Sequence, residues 1–358
     1  MHSNELGAQS AGPVRNLAVD TSAQTGYLKG LAIIVIFFHH YILEIYPGAF
    51  SLYGHQFVTL FFILSGYGVF YSLRKELGQG PPHASLRAPL LRYLLKRALR
   101  IYPLYWLWLL LGLLKGSQSL SELRLLNDVL LLGFEESPQW FLVPLVHCYI
   151  LAPFIYLAAR RNAAIFGAGL SVFVVCLHFF SSWQGVSPNK AVAYLGVFGS
   201  HVYLFSLGVL LHFLPAARGG KAMSALCALA ALAMLCAFDQ LNPHFTPLVL
   251  ATPAANFAAL LAPALFIFCF LPLNPSYFPF KALFRHAGKY SYSIFLFHGK
   301  FIYTLKQAHP ALSTLSNALL LAALFCLCLL LCAALETASG RFARWLQGRF
   351  EAGRTAPQ

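Results

Sequence analysis

The stretch KGLAIIVIFFHHYILE, Lys29 to Glu44, sets two adjacent histidines and a glutamate in a run otherwise apolar enough for lipid. Ionisable groups are costly at membrane depth and are kept there for polar contacts or for chemistry. Lys29 and His40 are eleven residues apart, close to three turns of helix, so they share a face with about 16 Å between them along the axis. Glu44 lies at i+4 from His40 on that face. An imidazole with a carboxylate one turn away is a candidate general base, because the carboxylate fixes the tautomer and stabilises the imidazolium. The plainer reading of His39 and His40 is hydrogen bonding between helices. Two histidines, an acid and a same-face lysine together favour chemistry.

Other stretches hold groups of the right type. RYLLKRALRIYPLYWLW, Arg92 to Trp108, puts Arg97 and Arg100 at i, i+3 with Arg92 and Lys96 beside them. Guanidinium groups grip phosphate bidentately, although the same cluster serves equally as an anchor on anionic lipid. FVTLFFILSGYGVF carries Ser65-Gly66-Tyr67-Gly68, where an acyl chain or another helix can approach closely; helix packing through small residues is the simpler account. Trp140 reads as an aromatic-belt residue at the far membrane interface. His298, in the middle of GKYSYSIFLFHGKFIY, is a candidate to face the same cavity as His40. His147 lies inside another apolar stretch, the single histidines His178, His201 and His212 default to structural roles, and Asp239 and Glu336 fall at helix ends. Eight scattered cysteines with no CxxC pair point to neither a disulfide framework nor a metal site.

These residues need helices to position them, and the composition says where the helices sit. The chain is 59% hydrophobic and 10% charged, with a mean hydropathy of +0.67. Soluble proteins carry about 25% charged residues, so this chain cannot cover a water-facing surface. The net charge of +14 is not gathered into a basic domain and accompanies no zinc-finger, RNP or helix-turn-helix pattern, which excludes a nucleic-acid partner. Apolar stretches long enough to span lipid fall at 28–46, 55–74, 99–115, 139–159, 163–183, 191–214, 222–239, 247–271, 288–307 and 313–336. With the N-terminus cytosolic, 20 of the 25 basic residues lie on the cytosolic side and only Lys115, Arg124, Lys190, Lys300 and Lys306 on the far side. The expectation is an all-α integral membrane protein of about ten transmembrane helices, N-in and C-in. Residues 1–26 form a polar cytosolic tail without the apolar core of a cleavable signal peptide. Residues 27–338 form the membrane domain, 339–358 a basic cytosolic tail, and a bacterial inner membrane is the expected location.

Taken in order, these stretches resemble the acyltransferase family 3 membrane proteins, which acylate carbohydrates and related acceptors. Lys29, ten residues and His40 match the family's opening basic-residue-to-histidine element, with His40 rather than His39 in register with its essential histidine. Phe61-Phe62-Ile63-Leu64-Ser65-Gly66 matches the FFxLSG stretch, and Arg97-Ala98-Leu99-Arg100 followed by Ile101-Tyr102-Pro103 matches RxxR. Ser291-Tyr292-Ser293-Ile294-Phe295-Leu296-Phe297-His298 matches the SYSxYLxH helix with Phe295 for tyrosine, and Glu336 falls where the closing glutamate is expected. The resemblance covers about residues 25–345 and implies an O-acyltransferase with no bound cofactor. Acyl-CoA, expected as acetyl-CoA, is the donor, and a hydroxyl of a cell-envelope carbohydrate or related molecule is the acceptor. It implies His40 as the base assisted by Glu44, with Lys29, Arg97 and Arg100 on the donor, and Ser65, Tyr67, Trp140 and His298 about the substrate. Leu145 stands where many sugar-modifying members carry an acid, which sets the acceptor apart from a standard sugar. The competing class is a proton-coupled transporter or exporter using the same intramembrane histidine and glutamate.

Overall fold

Lipid offers no hydrogen bonds to the backbone, so an apolar chain of this kind satisfies its amides within helices. The computed structural model describes residues 22–45, 54–77, 86–114, 129–131, 139–183, 190–214, 221–241, 253–273, 278–308 and 314–355. Among these residues every regular element is a helix: α1 (Ser22–Ile45), α2 (Gly54–Leu77), α3 (Arg87–Leu114), α4 (Gln139–Arg161), α5 (Ala163–Trp183), α6 (Lys190–Leu210), α7 (Lys221–Leu241), α8 (Pro253–Phe270), α9 (Lys281–Lys289), α10 (Ser291–Ala308) and α11 (Thr314–Thr355). Four stretches, Ala23–Ile42, Phe57–Leu77, Phe141–Arg161 and Ala322–Leu346, are long and apolar enough to cross a membrane. Shorter apolar stretches lie in α5, α6, α7 and α8. Large apolar side chains such as Leu110, Phe154, Ile165, Phe173, Leu229 and Leu330 stand exposed on the outer helix faces, as lipid-facing residues must.

Three boundaries differ from the hydropathy reading. α3 begins at Arg87 rather than near Leu99, so the arginines lie inside a helix of 28 residues and not at its first turn. The ninth expected span is split at Tyr290, whose φ of −105° and ψ of 18° end α9 before α10 begins. That break separates a short, mostly exposed helix bearing Lys281, Arg285 and Lys289 from a helix whose residues Ser293–His298 are buried. α11 runs without interruption to Thr355, so the residues expected as a basic tail continue the last membrane helix for most of their length.

Two crossings fix the elements that carry the candidate residues. α1 packs on α9 by backbone contact: a Cβ on Gly30 would collide with the Phe284 carbonyl, and one on Gly288 with the Gly26 carbonyl. Tyr27 fills the adjacent space, its ring 4.8 Å from Phe284 and 5.4 Å from Phe278. α2 packs on α6 in the same way, Gly66 against the Phe205 carbonyl and Gly208 against the Ile63 carbonyl. Close approach through small residues is the usual device of membrane helices, where burial in place of lipid gives little hydrophobic gain.

Candidate active site

Five helices leave a cavity of about 210 Å³ between them, lined by α1 (Lys29), α2 (Phe61, Leu64, Ser65, Gly68), α3 (Arg97, Arg100, Ile101), α4 (Phe141, Leu145, Tyr149) and α10 (Ser291, Tyr292, Phe295). The spacing on each helix explains the lining. On α2 positions 61, 64, 65 and 68 recur at i, i+3, i+4 and i+7, one stripe of a helix. On α4 positions 141, 145 and 149 do the same. The structure therefore brings Lys29, Ser65, Arg97 and Arg100 to one space, although they lie on three helices. Gly68 also opens onto the cavity, since a Cβ there would meet nothing within 4 Å.

The cavity is cationic, and no ion pair neutralises its cations among the described residues. Ion pairs form instead between Glu76 and both Arg92 and Lys96. These two bases and the two arginines of RxxR were one cluster in sequence; in space Arg97 and Arg100 line the cavity while Arg92 and Lys96 reach Glu76. Arg97 is held by its plane, with its guanidinium carbon 5.4 Å from the Tyr93 ring centre and 5.6 Å from that of Tyr149. Tyr93 in turn donates from its hydroxyl to the Tyr149 carbonyl at 3.2 Å, tying α3 to α4. The Arg97 Nε is buried with no hydrogen-bond partner, and a buried charged donor left unmatched is costly unless a ligand completes it. Lys29 lies within electrostatic reach of Arg97, Arg100 and Glu336. The Glu336 carboxylate accepts a hydrogen bond from Ser293 Oγ at 2.8 Å and makes no ion pair with the three cations. Sequence reasoning gave Glu336 an interfacial place and matched it to the closing glutamate, named Ser293 only within its motif, and did not single out Tyr149 or Glu76, whose roles only helix packing reveals.

α10 is fastened to α3 on both sides of this level. Tyr292 Oη donates to the Ile101 carbonyl at 2.9 Å. Deeper, Lys300 Nζ donates to the Trp108 carbonyl at 3.1 Å while standing 4.4 Å from the Trp108 ring centre. These ties set the register in which Ser291 and Phe295 meet the cavity.

His40 lies below the cavity rather than in its wall. The floor is Phe295, whose ring centre is 4.4 Å from that of Phe141 and 5.6 Å from that of His298. His298 comes next, 4.8 Å from His40 with the rings at 71°. His39 is fully buried beside His40, its ring 5.3 Å away and nearly perpendicular. His40 Nδ1 lies 2.9 Å from the Ile36 carbonyl and His298 Nδ1 lies 2.6 Å from the Phe295 carbonyl. A carbonyl only accepts, so both Nδ1 atoms donate and the basic lone pair of each neutral ring is at Nε2.

The remaining expected positions fall elsewhere. Tyr67 is buried against His212, ring centres 3.9 Å apart, and does not line the cavity; His212 in turn donates from Nε2 to the Tyr67 carbonyl at 2.9 Å. The side chains of Glu44, Trp140 and His178 lie outside the described residues. No group of three or more metal-ligating side chains occurs among the described residues.

Comparison with known proteins adds one match. A family model described as an acyltransferase domain matches residues 24–337, from the start of α1 to one residue past Glu336. No curated protein and no solved structure matches the chain.

Proposed function

This chain belongs to acyltransferase family 3, and from that membership we propose that it moves an acyl group from cytosolic acyl-CoA, acetyl-CoA being the expected donor, to a hydroxyl of a cell-envelope carbohydrate or related acceptor. The observation that carries the donor assignment is the cavity holding Lys29, Arg97 and Arg100 without ion-pairing carboxylates. Three basic side chains without a direct ion pair in a partly closed space fit a polyphosphate, and the planar arginine fork fits it better than a lysine would. Lys29 to His40 spans about 16 Å of helix, a distance the pantetheine arm of the donor covers. The arm enters from the cationic end and passes Phe295 to bring the thioester to the histidines.

At that point His40 Nε2 takes the proton of the acceptor hydroxyl as its oxygen attacks the thioester carbon. The new C–O bond forms as the C–S bond breaks, and the proton on His40 leaves with the thiolate. Glu44, at i+4 from His40 in the sequence, is the carboxylate assigned to support the imidazolium. Replacement of His40 by alanine is expected to abolish incorporation of labelled acetyl from acetyl-CoA into envelope lipid and glycan fractions, while membrane insertion is retained. Undiminished incorporation would remove His40 from the chemistry.

A further inference from the structure

Beyond the cavity, the contact that the proposed chemistry leaves unexplained is the one between the His40 and His298 rings. Their centres are 4.8 Å apart, edge to face, on α1 and α10. His298 is buried to 7% exposure, and Phe295 stands between it and the cavity. With its Nδ1 donating to the Phe295 carbonyl, a neutral His298 has no N–H left to offer an oxyanion. What it presents is the Nε2 lone pair and an aromatic face, and both favour a neighbouring cation. The neighbouring group that becomes a cation during acyl transfer is His40.

We infer that His298 is the positioning partner of the His40 base: it remains neutral and stabilises the His40 imidazolium between proton uptake from the acceptor hydroxyl and proton return to the departing thiolate. No net proton passes to His298. This inference rests on the reading of His40 as the base. A partly buried imidazolium is incompletely solvated by water and gains from a neighbouring acceptor or aromatic ring, and the fully buried His39 ring is the other imidazole beside it. The arrangement resembles in logic any base oriented and supported by a second group, with an imidazole in place of the usual carboxylate.

The experiment uses full-length protein in nanodiscs with acetyl-CoA as donor and envelope extract as acceptor, comparing wild type, His40→Ala, His298→Leu and His298→Gln. His298→Leu is expected to lower kcat by about 10- to 100-fold with the donor KM held within about twofold, and to change the solvent isotope effect on kcat. His298→Gln, which restores an acceptor atom, recovers part of the rate. A His298→Leu enzyme with unchanged kcat overturns the inference. So does one whose rate loss comes with a weakened donor KM, an unchanged isotope effect and no recovery in His298→Gln, since that is a packing defect. If His40→Ala is fully active, the underlying reading of the base fails; if His40→Ala is dead and His298→Leu is normal, only the partnership fails.

Discussion

At the scale of single residues, charge compensation sorts the basic groups of α3. Arg92 and Lys96 are satisfied by Glu76, whereas Arg97 lines the cavity, flanked by Tyr93 and Tyr149. The consequence is a sharp contrast between neighbours. Arg97→Gln is expected to raise the donor KM by about 10- to 100-fold, the loss of one or two hydrogen bonds to a charged group. Arg92→Gln leaves it within about twofold, because an exposed pair is worth under 1 kcal/mol. Initial rates at varied acetyl-CoA measure both, and equal effects would return the whole cluster to a lipid-anchoring role. The residue types were legible in the sequence, as was the shared face of Lys29 and His40. The split of the cluster was not, because Glu76 comes from another helix and spacing along α3 says nothing about who compensates whom. The same holds for His298, whose place beside His40 depends on the register of α10 against α1.

At the scale of elements, the site is held by helices that touch through backbone. Gly30 carries Lys29's neighbourhood against α9, and the atom it faces is the Phe284 carbonyl, which cannot rotate away as a side chain would. Gly30→Val is therefore expected to destabilise the protein by about 3 kcal/mol, the upper end of overpacking costs. Gly68→Ala, at a position where a Cβ meets nothing within 4 Å, changes stability by well under 1 kcal/mol. Thermal unfolding in detergent, followed by loss of the monodisperse peak, compares the two; similar melting of both variants would contradict the crossing. Most helices were readable from runs of apolar residues with polar interruptions. The division of α9 from α10 was hidden, since GKYSYS has neither proline nor an obvious stop, and the break at Tyr290 is a matter of tertiary placement. The continuation of α11 to Thr355 was hidden for the opposite reason: hydropathy reports where a helix leaves lipid and not where it ends.

At the scale of the whole molecule, the distribution of charge gives the cavity an address. The cationic cavity sits at the level of Lys29, Arg97 and Arg100, which belong to the 20 basic residues that the loop pattern assigns to one side of the membrane. His40 and His298 lie deeper along α1 and α10, by about 16 Å from Lys29 in the case of His40. Positive charge collects on the cytosolic side of membrane proteins, so under the proposed topology the donor end of the site opens to the cytosol. The proposed donor, an acyl-CoA, is too polar and too highly charged to cross lipid, and on this proposal it arrives from that side only. Sealed inside-out vesicles containing the protein are expected to consume external acetyl-CoA, and sealed right-side-out vesicles to do so only after permeabilisation. Equal consumption by both would mean either that the chain is inserted in both orientations or that its cationic mouth faces outward. Proteolysis of a tag fused to the helical C-terminal extension in the same vesicles separates these two outcomes, because a single cytosolic orientation exposes that tag in inside-out vesicles alone.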